Sequence, residues 1–177
     1  MFAINKVTLN LGMVLKQSPK IKELTFQRLW LFLSILILSS SCVSSRVKEQ
    51  REKVIASARS FTGTPYKWGG TTRAGMDCSG LTCNAYRAIE LELPRTTDGQ
   101  ATTGKKVKRK KLAPGDLVFF ATGKKKREIT HVGIVTDVNG ADDVKFIHAS
   151  TTLGVVETNL YSDYYFKRYR KARRIID

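Results

Sequence analysis

The sequence predicts an α+β domain in which helices come first and an antiparallel sheet follows. Between Val47 and Leu91 the apolar residues recur at helical spacing. From Asp116 onward they condense into short β-branched and aromatic runs separated by turn residues. No internal repeat interrupts this order, and the roughly 130 residues involved suffice for one core.

Ahead of the domain, Leu29–Leu38 is the longest apolar run, interrupted only by Ser34. It follows Lys16, Lys20, Lys22 and Arg28 and ends in Ser39-Ser40-Ser41 before Cys42. A positive start, a short apolar core and a small-residue exit describe a secretory signal over residues 1–41, starting at Met1 or Met13. The run falls short of the roughly 18 residues that span a bilayer. Cys42 resembles the acylated cysteine of bacterial lipoproteins, with one departure: the usual leucine three places before it is Ser39, and Leu38 lies one place further back. The alternative is a buried helix with Cys42 a structural thiol, but the run is apolar on every face. A polar tether over 42–46 then leads into the domain, 47–177.

The first helix is expected over Val47–Phe61, where Val47, Val54, Ile55, Ala58 and Phe61 form the apolar stripe. Gly63-Thr64-Pro65 ends it. A glycine-rich loop from Trp68-Gly69-Gly70 to Gly75-Met76 reaches Asp77-Cys78-Ser79-Gly80, and Leu81–Leu91 reads as the second helix. Strands are expected at Asp116–Ala121, His131–Val138, Val144–Ala149 and Gly154–Thr158, with a fifth over Arg168–Ile176.

Cys78 lies where the loop becomes a helix, with Asp77 a natural N-cap. A thiol at a helix N-terminus meets the positive end of the peptide dipoles, which favours thiolate, the form a cysteine nucleophile needs. The plain alternative is a small buried core thiol. A base is also required, and the chain has two histidines. Asn139-Gly140 between them signals a two-residue hairpin, which would set His131 directly opposite His148; Asp142-Asp143 could enlarge that loop and shift the register. On this reading Cys78 is the nucleophile, His131 the base and His148 the group that orients it. Cys83 is five residues past Cys78 on one helix, about 7.5 Å along its axis, too far for a disulfide, and reads as a core thiol. No zinc-ligand spacing is present, and neither a metal nor another cofactor is expected.

Thr64-Pro65-Tyr66-Lys67-Trp68-Gly69-Gly70 with Asp77-Cys78-Ser79-Gly80 resembles the NlpC family of bacterial cell-wall cysteine peptidases. So do Leu93-Pro94-Arg95-Thr96-Thr97 with Gln100, the run Leu112–Phe120, His131-Val132-Gly133-Ile134, and Phe146-Ile147-His148-Ala149-Ser150. The blocks follow the family's order and span Val47 to Ile176. The resemblance implies a papain-like fold, a Cys78-His131-His148 triad, and hydrolysis of the γ-D-glutamyl bond to the diamino acid in peptidoglycan stem peptides. It also implies that Tyr66 lies near the sulfur, binding substrate or oxyanion, and that Asp77 and Ser79 meet the substrate's amino end. Tyr66 as a core aromatic and Asp77 as a cap alone are the alternatives. For the whole chain, an inactive wall-binding scaffold and a papain-like amidase or acyltransferase are the other readings.

The charge is the unusual feature of composition: 31 Lys and Arg against 15 Asp and Glu, a net +16. Without residues 1–41 the counts are 26 and 14, still +12. Basic runs lie at Lys105–Lys111, Lys124–Arg127 and Lys167–Arg174, the first two expected as loops. Tyr164, Tyr165, Phe166 and Tyr169 beside the third could suit nucleic-acid stacking. An exported protein meets little nucleic acid, so attraction to anionic wall polymer or lipid headgroups is expected instead. The expected state is a monomer, held to the cell envelope by lipid on Cys42, at the outer membrane facing the periplasm.

Overall fold

The computed structural model describes residues 44–177; the expected signal at Leu29–Leu38 and the expected acylation site at Cys42 lie outside them. Ser45–Asp177 form one compact unit that carries the whole sheet and both apolar cores, which is what an independently folding domain needs. Helix α1 covers residues 44–59, so the end of the expected tether is already helical. Strands β1 (Thr71–Thr72) and β2 (Gly75–Met76) form a small hairpin before α2 (Cys78–Arg87). Then come α3 (Thr97–Gln100), β3 (Lys105–Val107), a 3-10 turn (Arg109–Lys111), β4 (Leu117–Phe120), β5 (His131–Val138), β6 (Val144–Ser150), β7 (Gly154–Asn159), α4 (Asp163–Arg168) and β8 (Tyr169–Arg174).

The large sheet is antiparallel throughout, in the order β3-β8-β4-β5-β6-β7. Its central strand β4 is buried at every position, because both faces of the sheet are covered. On one face Val54 and Ala58 of α1 and Leu81, Ala85 and Tyr86 of α2 pack on Leu117, Phe119, Val132, Ile134 and Ile147. On the other, Leu112, Leu160 and the rings of Tyr161, Tyr165 and Tyr169 cover Val118, Phe120, Val135, Phe146 and Ala172. Asp116, just before β4, is buried and takes both Arg174 Nε and a terminal Arg174 nitrogen at 2.8 Å, tying β8 to β4 at that end.

Further expectations change. The β5–β6 turn spans Asn139 to Asp143, closed by Asn139 N–H on Asp143 O at 2.9 Å, because Asp142-Asp143 join the loop. A bulge between Val135 and Asp137 follows, and the register becomes Ile134↔Ile147. His131 therefore sits diagonal to His148 rather than opposite it. The displacement is an even number of residues, so both stay on one face. In addition, part of the first basic run is not loop: Lys105–Val107 pairs with β8 as an edge strand.

Candidate active site

Asp77 is the N-cap of α2. Its backbone is extended and its Oδ1 accepts the Gly80 N–H at 2.6 Å, which starts the helix at Cys78. Gly80 is required there, since a Cβ would lie 2.4 Å from the Gly70 carbonyl oxygen. The same carboxylate accepts the Gly69 N–H at 2.9 Å and a bidentate pair from Arg95, at 3.0 Å to Oδ1 and 2.7 Å to Oδ2. Burial alone would raise the Asp77 carboxyl; Arg95 and the two backbone donors outweigh it and hold the group below its usual range. Ser79 Oγ joins this knot, donating to Asp77 at 3.2 Å and accepting from Arg95 at 2.8 Å.

Cys78 is thereby fixed at the first helical position, facing β5. The β5–β6 ladder begins at Ile134, beyond Val132, whose backbone N–H favours the ionised form of the Cys78 sulfur. Thr97 Oγ1 lies 3.8 Å from Sγ. Burial pushes the thiol above its ordinary value, and the Val132 N–H, Thr97 and Ser79 N–H offset only part of this. Asp77 adds to the rise. This corrects the expectation of a resting thiolate: the helix terminus is outweighed by desolvation.

The two imidazoles meet. His131 Nε2 and His148 Nδ1 are 2.9 Å apart, and His148 Nε2 lies 3.2 Å from Thr158 Oγ1 on β7. Gly133 permits this approach; a Cβ there would sit 2.6 Å from the Phe146 ring and 2.8 Å from Ile147 O. Phe120, Phe146 and Tyr165 wall the pair, with the Tyr165 ring 5.0 Å from that of His148. Burial accordingly pushes His131 down to about 4. His148 falls to about 3, by burial first and the neighbouring His131 second. Both rings are neutral at pH 7, so the expected base is an uncharged imidazole at rest.

A cleft of about 520 Å³ opens over Cys78, with Tyr66, Trp68, Thr97 and the segment Glu128–Thr130 on its walls. His131 follows directly on that segment. Burial, with Cys78 and Asp77 nearby, pushes the Tyr66 phenol up, so it is a protonated donor at neutral pH. Tyr66, Asp77, Cys78 and Ser79 thus line one cleft, while His131 and His148, bonded to each other, pack beside Phe120 and Phe146 and are not among its walls. Cys83 is buried and free, its sulfur 3.6 Å from Leu93 O and 3.4 Å from Gln100 Nε2. Among the described residues no three of His, Cys, Asp and Glu form a metal-holding group.

Sequence reasoning assigned no role to Arg95, Thr97, Trp68 or Thr158. Arg95 and Thr97 stood inside a motif block, a usable signal. Trp68 is 86% exposed at the cleft mouth, and Thr158 is reached only through the β6–β7 register.

Residues 63–174 match the NlpC/P60 family. "Probable endopeptidase NlpC" of Escherichia coli K12 is 46% identical over 66% of this chain and 73% of its own length. "Murein DD-endopeptidase MepS/Murein LD-carboxypeptidase" of the same strain is 39% identical over 71% of this chain and 63% of its own. Among solved structures, an NlpC/P60 family protein from Bacillus cereus superposes with a TM-score of 0.64 at 31% identity, over 72% of this chain and 40% of that one. The match in sequence and the shared arrangement of helices on an antiparallel sheet lead to one conclusion: the chain belongs to the NlpC/P60 family.

Proposed function

We propose that the chain is a cysteine-type peptidoglycan endopeptidase, anchored to the envelope by lipid on Cys42, that hydrolyses the γ-D-glutamyl bond to the diamino acid of murein stem peptides. The observations that carry the reading are the 2.9 Å contact of His131 Nε2 with His148 Nδ1 and, separately, a sulfur at a helix N-terminus that lines an open cleft. The names of the two Escherichia coli relatives support endopeptidase action, and that of the second supports murein as the substrate.

The hydrogen-bond chain sets the tautomers. For His131 to take the thiol proton at Nδ1, its Nε2 carries hydrogen and donates to His148 Nδ1. His148 then carries hydrogen on Nε2 and donates to Thr158 Oγ1, which can always accept. Because thiol and imidazole are both neutral at rest, proton transfer accompanies attack. As Sγ bonds to the substrate carbonyl carbon, its proton passes to His131, and the imidazolium leans on His148. The developing oxyanion is met by backbone N–H groups at the start of α2 and by the Tyr66 phenol. His131 protonates the departing amine as the C–N bond breaks. Water, deprotonated by the same ring, then releases the acyl group from sulfur. Asp77 and Ser79 act with Arg95, whose exposed edge accompanies them at the substrate's amino end.

The second relative's name favours another bond, one between two D-configured centres. Mass analysis of murein digested by residues 42–177, beside Cys78→Ala, separates these readings. Monomers split at D-Glu support the γ-D-glutamyl reading; dimers converted to intact monomers support the other. Unchanged digests from the parent protein would remove the enzyme reading and leave the wall-binding scaffold.

A further inference from the structure

The three basic runs are far apart in sequence but adjoin in the fold. The β3–β8 ladder sets Lys105 opposite Arg174 and Lys106 opposite Arg173, like charges across an edge that a purely structural design avoids. Arg170 Nε donates to Lys126 O at 2.7 Å, which draws the Lys124–Arg127 loop to the start of β8. Arg109 of the 3-10 turn lies 4.4 Å over the Phe166 ring of α4. Acidic relief is sparse: Asp116 takes Arg174, Asp177 takes Lys105 and Glu128 takes Lys125. Lys108, Lys110, Lys111, Lys124, Lys126 and Lys167 are exposed with no ion-pair partner among the described residues.

Apolar groups are set into this field. Tyr164 and Phe166 of α4 are 48% and 39% exposed. Arg109 Nε is buried without a hydrogen-bond partner and borders a groove of about 370 Å³ whose walls include Lys110, Leu112, Val138 and Val144. A cationic donor lacking an acceptor, beside an apolar groove, suits a phosphate attached to something greasy.

We propose that the face built from β3, the 3-10 turn, α4 and β8 docks on a bilayer rich in anionic phospholipid, with a headgroup phosphate against Arg109 and Lys110. Aromatic rings beside Lys and Arg are the chemistry of a membrane–water interface, and clustered basic residues bind anionic lipid additively. Nucleic acid fits less well. Base stacking needs open ring faces, whereas Arg168 lies 3.8 Å over Tyr164 and Arg109 covers Phe166. Tyr165 and Tyr169 are packed edge-on against Phe120.

The test is sedimentation of residues 42–177 carrying Cys42→Ser, so that no acyl chain contributes, with vesicles of phosphatidylcholine alone or with 30% phosphatidylglycerol. Binding to the anionic vesicles only, weakening with salt, is expected. Lys108→Gln, Lys110→Gln, Lys111→Gln and Lys167→Gln together should weaken it at least about tenfold. Arg46→Gln, Lys48→Gln, Lys53→Gln and Arg87→Gln remove the same charge from α1 and α2 and should leave it nearly unchanged. Circular dichroism and digestion of murein check that both variants are folded. No binding to anionic vesicles, equal loss in both quadruple variants, or tighter binding to duplex DNA at the same salt would each overturn the proposal.

Discussion

Lowering the pH from 7 to 5 should destabilise this domain by about 4 kcal/mol through its two histidines. The chain has two histidines, and both are the buried pair. In the folded state His131 is held down at about 4 and His148 at about 3. In the unfolded chain both return to about 6.5, so below that value the unfolded state binds more protons and stability falls with falling pH. The stability contributed by the neutral pair is thus full above about 6.5 and is lost between there and roughly 4. At pH 5 each ring accounts for about 2 kcal/mol, together about 4 kcal/mol, out of a total near 5–15 kcal/mol for a domain of this kind. Urea unfolding at pH 7, 6 and 5 and constant ionic strength measures it. His148→Gln should halve the loss, to about 2 kcal/mol, since one titrating ring remains. Stability constant within about 1 kcal/mol from pH 7 to 5, or an undiminished loss in His148→Gln, would refute the burial of both rings as neutral groups.

Other variants test the supports of the site. Thr158→Val removes the acceptor of His148 Nε2–H; kcat for murein hydrolysis should fall about tenfold with KM unchanged, and Thr158→Ser should restore it. Arg95→Met strips Asp77 of its partner and loosens the α2 cap, so urea unfolding should show a loss of about 1–2 kcal/mol together with a raised KM. Asp116→Ala leaves the Arg174 guanidinium unpaired at the edge of the core, and a loss of about 3–5 kcal/mol is expected in the same measurement.

Much of the site was legible because chemistry confines it to few residue types. Asp77-Cys78 after a glycine-rich loop announced a capped helix, and two histidines around Asn139-Gly140 announced facing strands. The register was not legible in full, since the loop conformation of Asp142-Asp143 and the bulge near Thr136 depend on β6 packing, not on local propensity. Strand β3 escaped because Lys-Lys-Val has no alternation to read and exists only by pairing with β8. Helix α4 escaped for a related reason: its six residues are too few for a helical period, and it took Arg168 from the expected last strand. The state of the thiol was misjudged because a helix terminus is visible in sequence, whereas the wall of Val132, Thr97 and buried rings around the site is not. Thr158 belongs to the same class, brought to His148 by the β6–β7 register alone.

The relay from Cys78 through His131 is tested most directly by the alkylation rate of Cys78 with iodoacetamide at pH 7, read by site-resolved mass spectrometry so that Cys83 is counted apart. With His131 as the group that removes the thiol proton, His131→Ala should slow the modification about a hundredfold while leaving the fold intact. Equal rates in the two proteins would mean that the sulfur and the imidazole act independently.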